Sequence, residues 1–247
     1  MGKEKKRIIN DCKILLEAYR AGKLGFMKMP EDSNPGFSDE NLRLTYFTLP
    51  MSLNYQRDSY KLWEAALKTY QDKETKIVFD LKSSATLSTD KLREYLSRYK
   101  VALQPNKHIN TWQTISKTIF TNWKSIKGLM EYVDYDYLKL RDIVQKDYKK
   151  GFPYISGPKI FNYWCFIVQE YGKIKLKNSE YIEIAPDTHV TQCSVRLGVI
   201  TKEESESLSK EKISERWREM LKDTGITPIE MHPPLWFWSR NDFKYKI

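Results

Sequence analysis

A short stretch rich in proline and glycine, placed between two helical patterns, constrains the fold of this chain more than any other feature. The first pattern ends at Tyr148–Lys150, and Gly151 follows, where a helix C-terminus favours a left-handed residue. Pro153 and the pair Gly157-Pro158 then interrupt the chain, and proline is favourable in the first turn of a helix. The stretch 151–158 therefore predicts a tight hairpin that joins two helices.

A lysine and an aspartate follow this hairpin. Lys159 falls in the first turn of the second helix, where hairpin amides and a helix N-terminus attract an anion. Asp187 comes 187 − 159 = 28 residues later, directly before an apolar helical pattern, and is typical of an N-cap. Taken singly, the two are a surface lysine and a helix cap. Beside the hairpin, Lys159 indicates an amine next to a bound phosphate, whereas Asp187 on this pattern is a helix cap.

The charge of the chain favours a polyanionic partner. Its 42 basic and 32 acidic side chains give a net charge of +10, and its pI is near 9.2. Nucleic acid is one such polyanionic partner. A basic protein without such a partner is the alternative, since residues 1–28 carry eight Lys or Arg against three Asp or Glu.

Cysteine and histidine usage argues against disulfides and metal centres. Cys12, Cys165 and Cys193 are odd in number and widely spaced, which favours a reducing compartment. His108 and His232 stand without neighbouring ligands, so we expect neither a metal nor another cofactor. No stretch has the length of a membrane span or the pattern of a signal peptide. We therefore expect an intracellular protein with no membrane partner.

Helical spacing of apolar residues covers nearly the whole chain, which predicts the all-α class. The longest segment with an alternating pattern is 173–184, and the first helix is expected at Ile8–Ala21. Ser38, Asp58 and Ser88 are the expected caps of later helices. The pattern predicts a helical bundle at 38–172, ending in the two helices and their hairpin. A second helical domain is expected from 1–37 plus 173–247.

Several segments resemble the helix-hairpin-helix DNA glycosylase superfamily. They are GPK at 157–159, PDTHV at 186–190 and RLG at 196–198, and the resemblance covers roughly residue 38 to the C-terminus. KIFNY at 159–163 and TGITPIEMHPPLWFWSR at 224–240 look most like the archaeal 8-oxoguanine glycosylase branch. The hairpin departs from the family, because Ile155 and Ser156 replace an expected glycine and hydrophobic residue. We therefore expect the hairpin to bind phosphate with a less regular geometry than in the family.

The resemblance implies a two-lobed helical fold and a repair enzyme. The cysteine spacing excludes the four-cysteine iron–sulfur loop of many relatives, so no cluster is expected. By position, Lys159 would be the nucleophile and Asp187 the catalytic carboxylate. The implied function is a base-excision-repair DNA glycosylase with AP lyase activity. It would act as a monomer and remove an 8-oxoguanine-like purine from damaged double-stranded DNA through a lysine Schiff base.

The resemblance also assigns residues that contact DNA. In the 54–56 loop, Asn54 is the first candidate to fill the gap left by an extruded base, Gln56 is the second, and Tyr55 is a possible wedge. An ordinary helix connection is the alternative for this loop. The hairpin residues expected to contact DNA are Gly151, Tyr154, Ile155, Ser156 and Gly157.

Three aromatic residues near the C-terminus are candidates for a base pocket. Trp236, Phe237 and Trp238 could stack on an extruded base, although we expect at least two of them in the core. His189, next to the expected cap, is predicted to pack or to form hydrogen bonds.

Three other functions stay open at this point. The chain could be a glycosylase for a deaminated, alkylated or oxidised pyrimidine base. It could be a nucleoside N-glycosidase, which would not need a phosphate-gripping hairpin. It could also be a non-catalytic helix-hairpin-helix protein that only binds DNA.

Overall fold

Helices make up the secondary structure of residues 2–247, the part of the chain that the computed structural model describes. Those residues contain no β-strand, and a single isolated bridge joins Asp136 and Lys177. The all-α class is therefore confirmed. The thirteen α-helices are α1 (Lys3–Arg20), α2 (Glu40–Thr48), α3 (Ser59–Gln71), α4 (Leu81–Thr86), α5 (Thr89–Arg98), α6 (Lys107–Trp123), α7 (Ile126–Tyr132), α8 (Tyr137–Asp142), α9 (Pro158–Glu170), α10 (Thr188–Leu197), α11 (Lys202–Ser207), α12 (Lys210–Leu221) and α13 (His232–Arg240).

The chain divides into two compact units. The central unit is Met29–Ser179, and the split unit combines Met1–Lys28 with Glu180–Ile247. These bounds differ from the predicted ranges 38–172 and 1–37 plus 173–247. Residues just before Ser38 belong with the central unit because Glu31 is buried against Trp63 of α3. Residues after 172 belong there because the Lys177 amide donates to the Tyr135 carbonyl at 2.7 Å.

Tryptophan side chains organise the core of the central unit. Trp63, Trp112 and Trp164 are fully buried, and each indole N–H has an acceptor. The Trp164 indole donates to the Thr48 hydroxyl at 2.9 Å and so joins α9 to α2. A buried indole that keeps its hydrogen bond adds apolar burial without leaving a polar group unsatisfied.

In the split unit, α1, α10, α12 and α13 surround a second core. The Trp217 indole donates to the Ser194 hydroxyl at 2.8 Å, and the Cys193 thiol donates to the Leu235 carbonyl at 3.0 Å. All three cysteines of the chain are buried free thiols. Burial raises the pKa of Cys12 to about 12, so that thiol stays protonated.

Most predicted helix starts are confirmed, and two are wrong. The first helix begins at Lys3 and not at the predicted Ile8. Asp58 and Ser88 cap α3 and α5 through bonds to the amides three residues later. Ser38 does not cap α2. Asp39 takes that place, since its backbone is extended and its Oδ1 accepts from the Leu42 amide at 2.9 Å. Within residues 2–247, no helix combines the length and the apolar character needed to cross a membrane.

Candidate functional site

The hairpin between α8 and α9 is compact and irregular. A π-helical turn at Ile143–Asp147 and a 3-10 turn at Lys149–Gly151 follow α8, and α9 begins at Pro158 as predicted. Gly151 does not take the expected left-handed conformation, and that part of the prediction is wrong. Tyr154 takes it instead, with φ 63°.

A close approach explains why glycine stands at position 151. A Cβ atom there would lie 2.6 Å from the side chain of Thr118 in α6. The hairpin can pack on α6 at this distance only because residue 151 has no side chain. Phe152 and Ile155 then anchor the turn in the core, where both are fully buried.

Three of the hairpin amides are bound within the hairpin, and contact of the hairpin with DNA stays a prediction. The amides of Ile155, Ser156 and Gly157 donate to the carbonyls of Pro153, Phe152 and Tyr154 at 2.9–3.0 Å. Gly157 is the N-cap of α9 and has no side chain with which to cap it. The donors that face outward along the axis of α9 are therefore the amides of its first turn, at Lys159 and Ile160.

Lys159 is exposed at the second position of α9. Its neighbour Ile160 is buried, so the helix turns its apolar face inward and leaves the ammonium in solvent. Tyr163 lies one turn further along, on the same face as Lys159, and is half-buried. Its hydroxyl donates to Glu31 Oε1 at 3.1 Å.

Glu31 is a buried carboxyl group that the sequence analysis missed. Its Oε1 atom accepts bonds from the Trp63 indole at 2.9 Å and from the Tyr163 hydroxyl. Its Oε2 atom is buried and has no hydrogen-bond partner among residues 2–247. Burial raises the pKa of Glu31 to about 7, against the lowering effect of those hydrogen bonds. Glu31 lies in a 3-10 turn, Pro30–Asp32, within a stretch rich in proline and glycine where no periodicity indicates burial.

The 54–56 loop contacts the hairpin inside the central unit. The Tyr55 and Tyr154 rings have their centroids 5.6 Å apart at an interplanar angle of 33°. Asn54 accepts a bond from the Ser59 hydroxyl at 2.9 Å, which ties the loop to the start of α3. Gln56 is exposed and has a φ of 51°. The structure thus brings together two segments that the sequence analysis proposed separately.

Lys107 is a second residue that the sequence analysis missed. It begins α6, and its ammonium lies 5.1 Å from the centroid of the Tyr154 ring. A hydrogen bond with the Tyr154 hydroxyl raises the pKa of Lys107, so the ammonium stays protonated there. Contact between Lys107 and Tyr154 spans almost fifty residues of sequence, and only the tertiary fold reveals it.

Asp187 lies in the split unit and is the N-cap of α10, as predicted. Its Oδ1 atom accepts from the Val190 amide at 2.9 Å, and its backbone carbonyl accepts from the Thr191 amide at 3.0 Å. The residue is half-buried, and the preceding Pro186 is buried. Gly198 ends α10 in a left-handed conformation with φ 83°.

His189 belongs to a hydrogen-bonded chain next to Asp187. The Ser239 hydroxyl donates to Gln192 Oε1 at 2.8 Å and lies 3.0 Å from His189 Nδ1. The His189 ring therefore forms a hydrogen bond with the Ser239 hydroxyl through Nδ1. The predicted hydrogen-bonding role of His189 is therefore confirmed.

The three C-terminal aromatic residues differ in burial. Phe237 is fully buried and stacks on Tyr19, and Trp238 is buried with its indole N–H bound to the Tyr245 carbonyl. These two belong to the core, as expected for at least two of the three. Trp236 is half-buried, with the His189 ring 5.6 Å away in an edge-on arrangement and the Arg240 guanidinium 5.0 Å from its centroid. Of the three, Trp236 is the one that stays partly exposed, and a role in binding a base stays a prediction.

The two residues proposed for chemistry belong to different compact units, Lys159 to the central unit and Asp187 to the split unit. Nowhere in residues 2–247 do three or more His, Cys, Asp or Glu side chains converge on a position that could hold a metal ion. No family model matches this sequence, and no curated protein matches it either.

Proposed function

We propose that this protein is a DNA glycosylase with lyase activity, of the helix-hairpin-helix kind, acting on an oxidised purine such as 8-oxoguanine. The observation that carries the proposal is the start of α9. There an exposed lysine lies at the second position of a helix that follows a tight turn. Such a helix start offers two free amides and a positive dipole end to a phosphate, with an amine beside them.

The charge distribution supports a nucleic-acid substrate. The central unit carries 24 basic and 17 acidic side chains, a net charge of +7, and contains the hairpin. A base stacked inside a duplex cannot reach a side chain, so an enzyme of this kind extrudes the nucleotide. Contacts to phosphate offset the unstacking cost of a few kcal/mol.

The proposed reaction uses an amine and a carboxylate. The neutral amine of Lys159 attacks C1′ of the sugar, and the base leaves with the electron pair of the glycosidic bond. The sugar ring opens to a Schiff base on the lysine nitrogen. Loss of a proton from C2′ then expels the 3′ phosphate, and hydrolysis frees the enzyme. The Asp187 carboxylate stabilises the cationic sugar and the iminium.

One observation favours a second candidate, a non-catalytic DNA-binding protein. Lys159 is exposed, whereas a nucleophilic lysine needs a neutral amine, which burial or nearby cations favour. Phosphate contact by a charged lysine needs no such environment.

Borohydride trapping separates the two candidates. A duplex with one 8-oxoguanine is incubated with wild type, Lys159→Gln and Lys175→Gln, the last removing another exposed lysine of the central unit. We expect a covalent adduct with wild type and Lys175→Gln and none with Lys159→Gln. An adduct that survives in Lys159→Gln would disprove the nucleophile assignment. Duplex binding without adduct or base release, across a panel of lesions, would favour the binding protein.

A further inference from the structure

The central unit has a cleft of about 570 Å³ that none of the residues proposed for chemistry or DNA contact lines. It lies between the start of α2, the 3-10 turn Thr75–Phe79 that precedes α4, and the end of α6. Lys107, which contacts Tyr154 of the hairpin, begins α6, and the two ends of this helix are about 25 Å apart. A volume of roughly 300–1,000 Å³ is typical of ligand-binding clefts. The cleft is therefore a candidate for a second binding site.

Four exposed lysine side chains line the cleft: Lys73, Lys76, Lys82 and Lys124. None of them forms an ion pair with a carboxylate of residues 2–247. Acids close by in sequence have other partners. Glu74 is paired with Arg98 at 2.6 Å. Glu40 is paired with Lys127 at 2.7 Å, so the cleft concentrates positive charge that these acids do not balance.

The two carboxylates that line the cleft cap helices. Asp39 Oδ1 accepts from the Leu42 amide at 2.9 Å at the start of α2. Asp80 Oδ1 accepts from the Ser83 amide at 2.7 Å at the start of α4. Each carboxylate therefore has a backbone partner, and four ammonium groups against two carboxylates leave the lining with a net positive charge.

Apolar side chains lie between these lysines. Ile77 is 41% exposed, and its neighbours Val78 and Phe79 are buried, so the core fixes the turn that presents Ile77 to the cleft. Leu42 and Phe120 line the same cleft and are half-buried. These three side chains have area left to bury against a ligand. A ligand that fits needs an apolar group as well as negative charge.

We infer that this cleft binds an acidic segment of a partner protein, whose carboxylates pair with the lysines and whose apolar side chain contacts Ile77 and Phe120. The inference goes beyond the proposed function and does not rest on it. An extended acidic peptide carries carboxylates and an apolar side chain within a few residues, so it matches both parts of the lining. Duplex DNA matches only the lysines, because its outer surface presents phosphates and its base faces are stacked inside.

Amide NMR titration of the full chain tests this inference. The probe is the peptide Asp-Asp-Asp-Leu-Asp-Asp-Asp, and the comparison peptides replace its leucine by glycine or its aspartates by asparagines. We expect the leucine peptide to cause saturable shifts of the amides at Ile77, Lys82 and Ser125. The Kd should be about tenfold weaker for the glycine peptide, because an apolar contact is lost. The asparagine peptide should not saturate, because its side chains are uncharged.

Two variants separate the two parts of the cleft. Lys73→Gln combined with Lys82→Gln should raise the Kd of the leucine and glycine peptides alike by about three- to tenfold, because ion pairs are lost. Ile77→Ser should raise the Kd of the leucine peptide by about fivefold and leave that of the glycine peptide unchanged.

Matched controls lie elsewhere in the central unit. Lys139→Gln combined with Lys175→Gln makes the same change of charge at exposed positions, and Leu103→Ser shortens a side chain that is 53% exposed. Both controls should bind the peptides as wild type does. Melting temperatures show whether each variant folds. The Lys73 and Lys82 double variant keeps the test decisive if Ile77→Ser does not fold, because both lysines are exposed.

Several results would overturn the inference. They are the absence of saturable shifts, shifts confined to amides outside the cleft, equal Kd values for the leucine and glycine peptides, or an unchanged Kd in the lysine variant. Duplex DNA that shifts the same amides and displaces the leucine peptide would assign the cleft to nucleic acid instead. Borohydride trapping does not involve this cleft, so the proposed function is judged separately.

Discussion

At the scale of single residues, Glu31 has an unusual environment for a carboxyl group. Two aromatic donors, Trp63 and Tyr163, bind one oxygen, and the other oxygen is buried without a partner in residues 2–247. A buried charged carboxylate is costly, so the protonated form is favoured until the pH approaches about 7. Glu31 therefore titrates in the physiological range, and a proton on Oε2 would make that atom a donor.

This environment predicts how stability depends on pH. The folded pKa of Glu31 is about 7 against an ordinary value of 4.5, so between those values the native state holds a proton that the unfolded state has lost. The free energy of unfolding should therefore fall as pH rises from 4.5 to 7, by up to about 3 kcal/mol. Urea unfolding at several pH values would measure this.

The matched variants isolate the contribution of Glu31. Glu31→Gln should remove the fall between pH 4.5 and 7, whereas Glu64→Gln, at an exposed position of α3, should keep it. The same pH profile in Glu31→Gln and wild type would mean that Glu31 stays charged throughout.

Asp187 allows its cap and its proposed chemistry to be separated. Asparagine caps a helix about as well as aspartate, whereas alanine costs about 1 kcal/mol. We expect Asp187→Asn to keep the wild-type melting temperature and to lower base excision by about a hundredfold or more, because the charge is lost. Asp187→Ala should have both a lower melting temperature and a lower rate of base excision. Full activity in Asp187→Asn would mean that Asp187 acts only as the N-cap of α10 and has no part in catalysis.

At the scale of secondary-structure elements, the hairpin depends on how closely it approaches α6. Replacing Gly151 by Ala puts a methyl group 2.6 Å from the Thr118 side chain. We expect this variant to be destabilised by about 1–3 kcal/mol, as for other overpacked sites. Chemical denaturation would measure the change.

A double variant shows whether that contact is the cause. Thr118→Ala removes the two nearest atoms and leaves only the Thr118 Cβ, 3.1 Å from the new methyl group. Gly151→Ala combined with Thr118→Ala should therefore recover most of the loss relative to Thr118→Ala alone. Additive effects of the two changes would mean that glycine is needed at position 151 for another reason.

The elements also show which features a sequence can predict. Asp58, Ser88 and Asp187 were located correctly because capping depends on residues within one turn. Ser38 was misplaced by one residue because Asp39 is an equally good cap. Gly151 was identified as necessary, but for the wrong reason, since its constraint comes from Thr118 in another helix. Local chemistry is visible in the sequence, and contacts between distant segments are not.

At the scale of the whole molecule, the net charge of +10 makes a prediction about binding to duplex DNA. Each phosphate neutralised by Lys or Arg releases about 0.9 counterion, so affinity should fall steeply with salt. With about five phosphate contacts, the slope of log K against log salt would be about −4 to −5. Anisotropy titrations between 50 and 200 mM salt, roughly the range in which the effect is large, would measure it. A slope near zero would remove phosphate contact as the basis of the proposed function.

Part of the fold and of the candidate site could be predicted from the sequence as a whole. Helical periodicity identified the all-α class, because the spacing of apolar residues within each long segment indicates a helix without reference to the rest of the chain. Lys159 and Asp187 were chosen by resemblance, and their assignment to chemistry stays a prediction. Glu31 and Lys107 were missed, because their significance comes from Tyr163 and Tyr154, which are distant in sequence.

The split unit consists of two distant stretches of sequence, and this affects the order in which the chain folds during its synthesis. Helix α1 packs on α12 and α13, and α12 begins 210 − 20 = 190 residues after α1 ends. At about 5–20 residues per second, a ribosome needs roughly 10–40 s to synthesise that interval. Until residue 180 is reached, the apolar face of α1, with Ile8, Leu15 and Leu16, has no partner from the second stretch of its own unit. The contiguous central unit can fold first, and α1 is the segment that a chaperone would meet on the nascent chain.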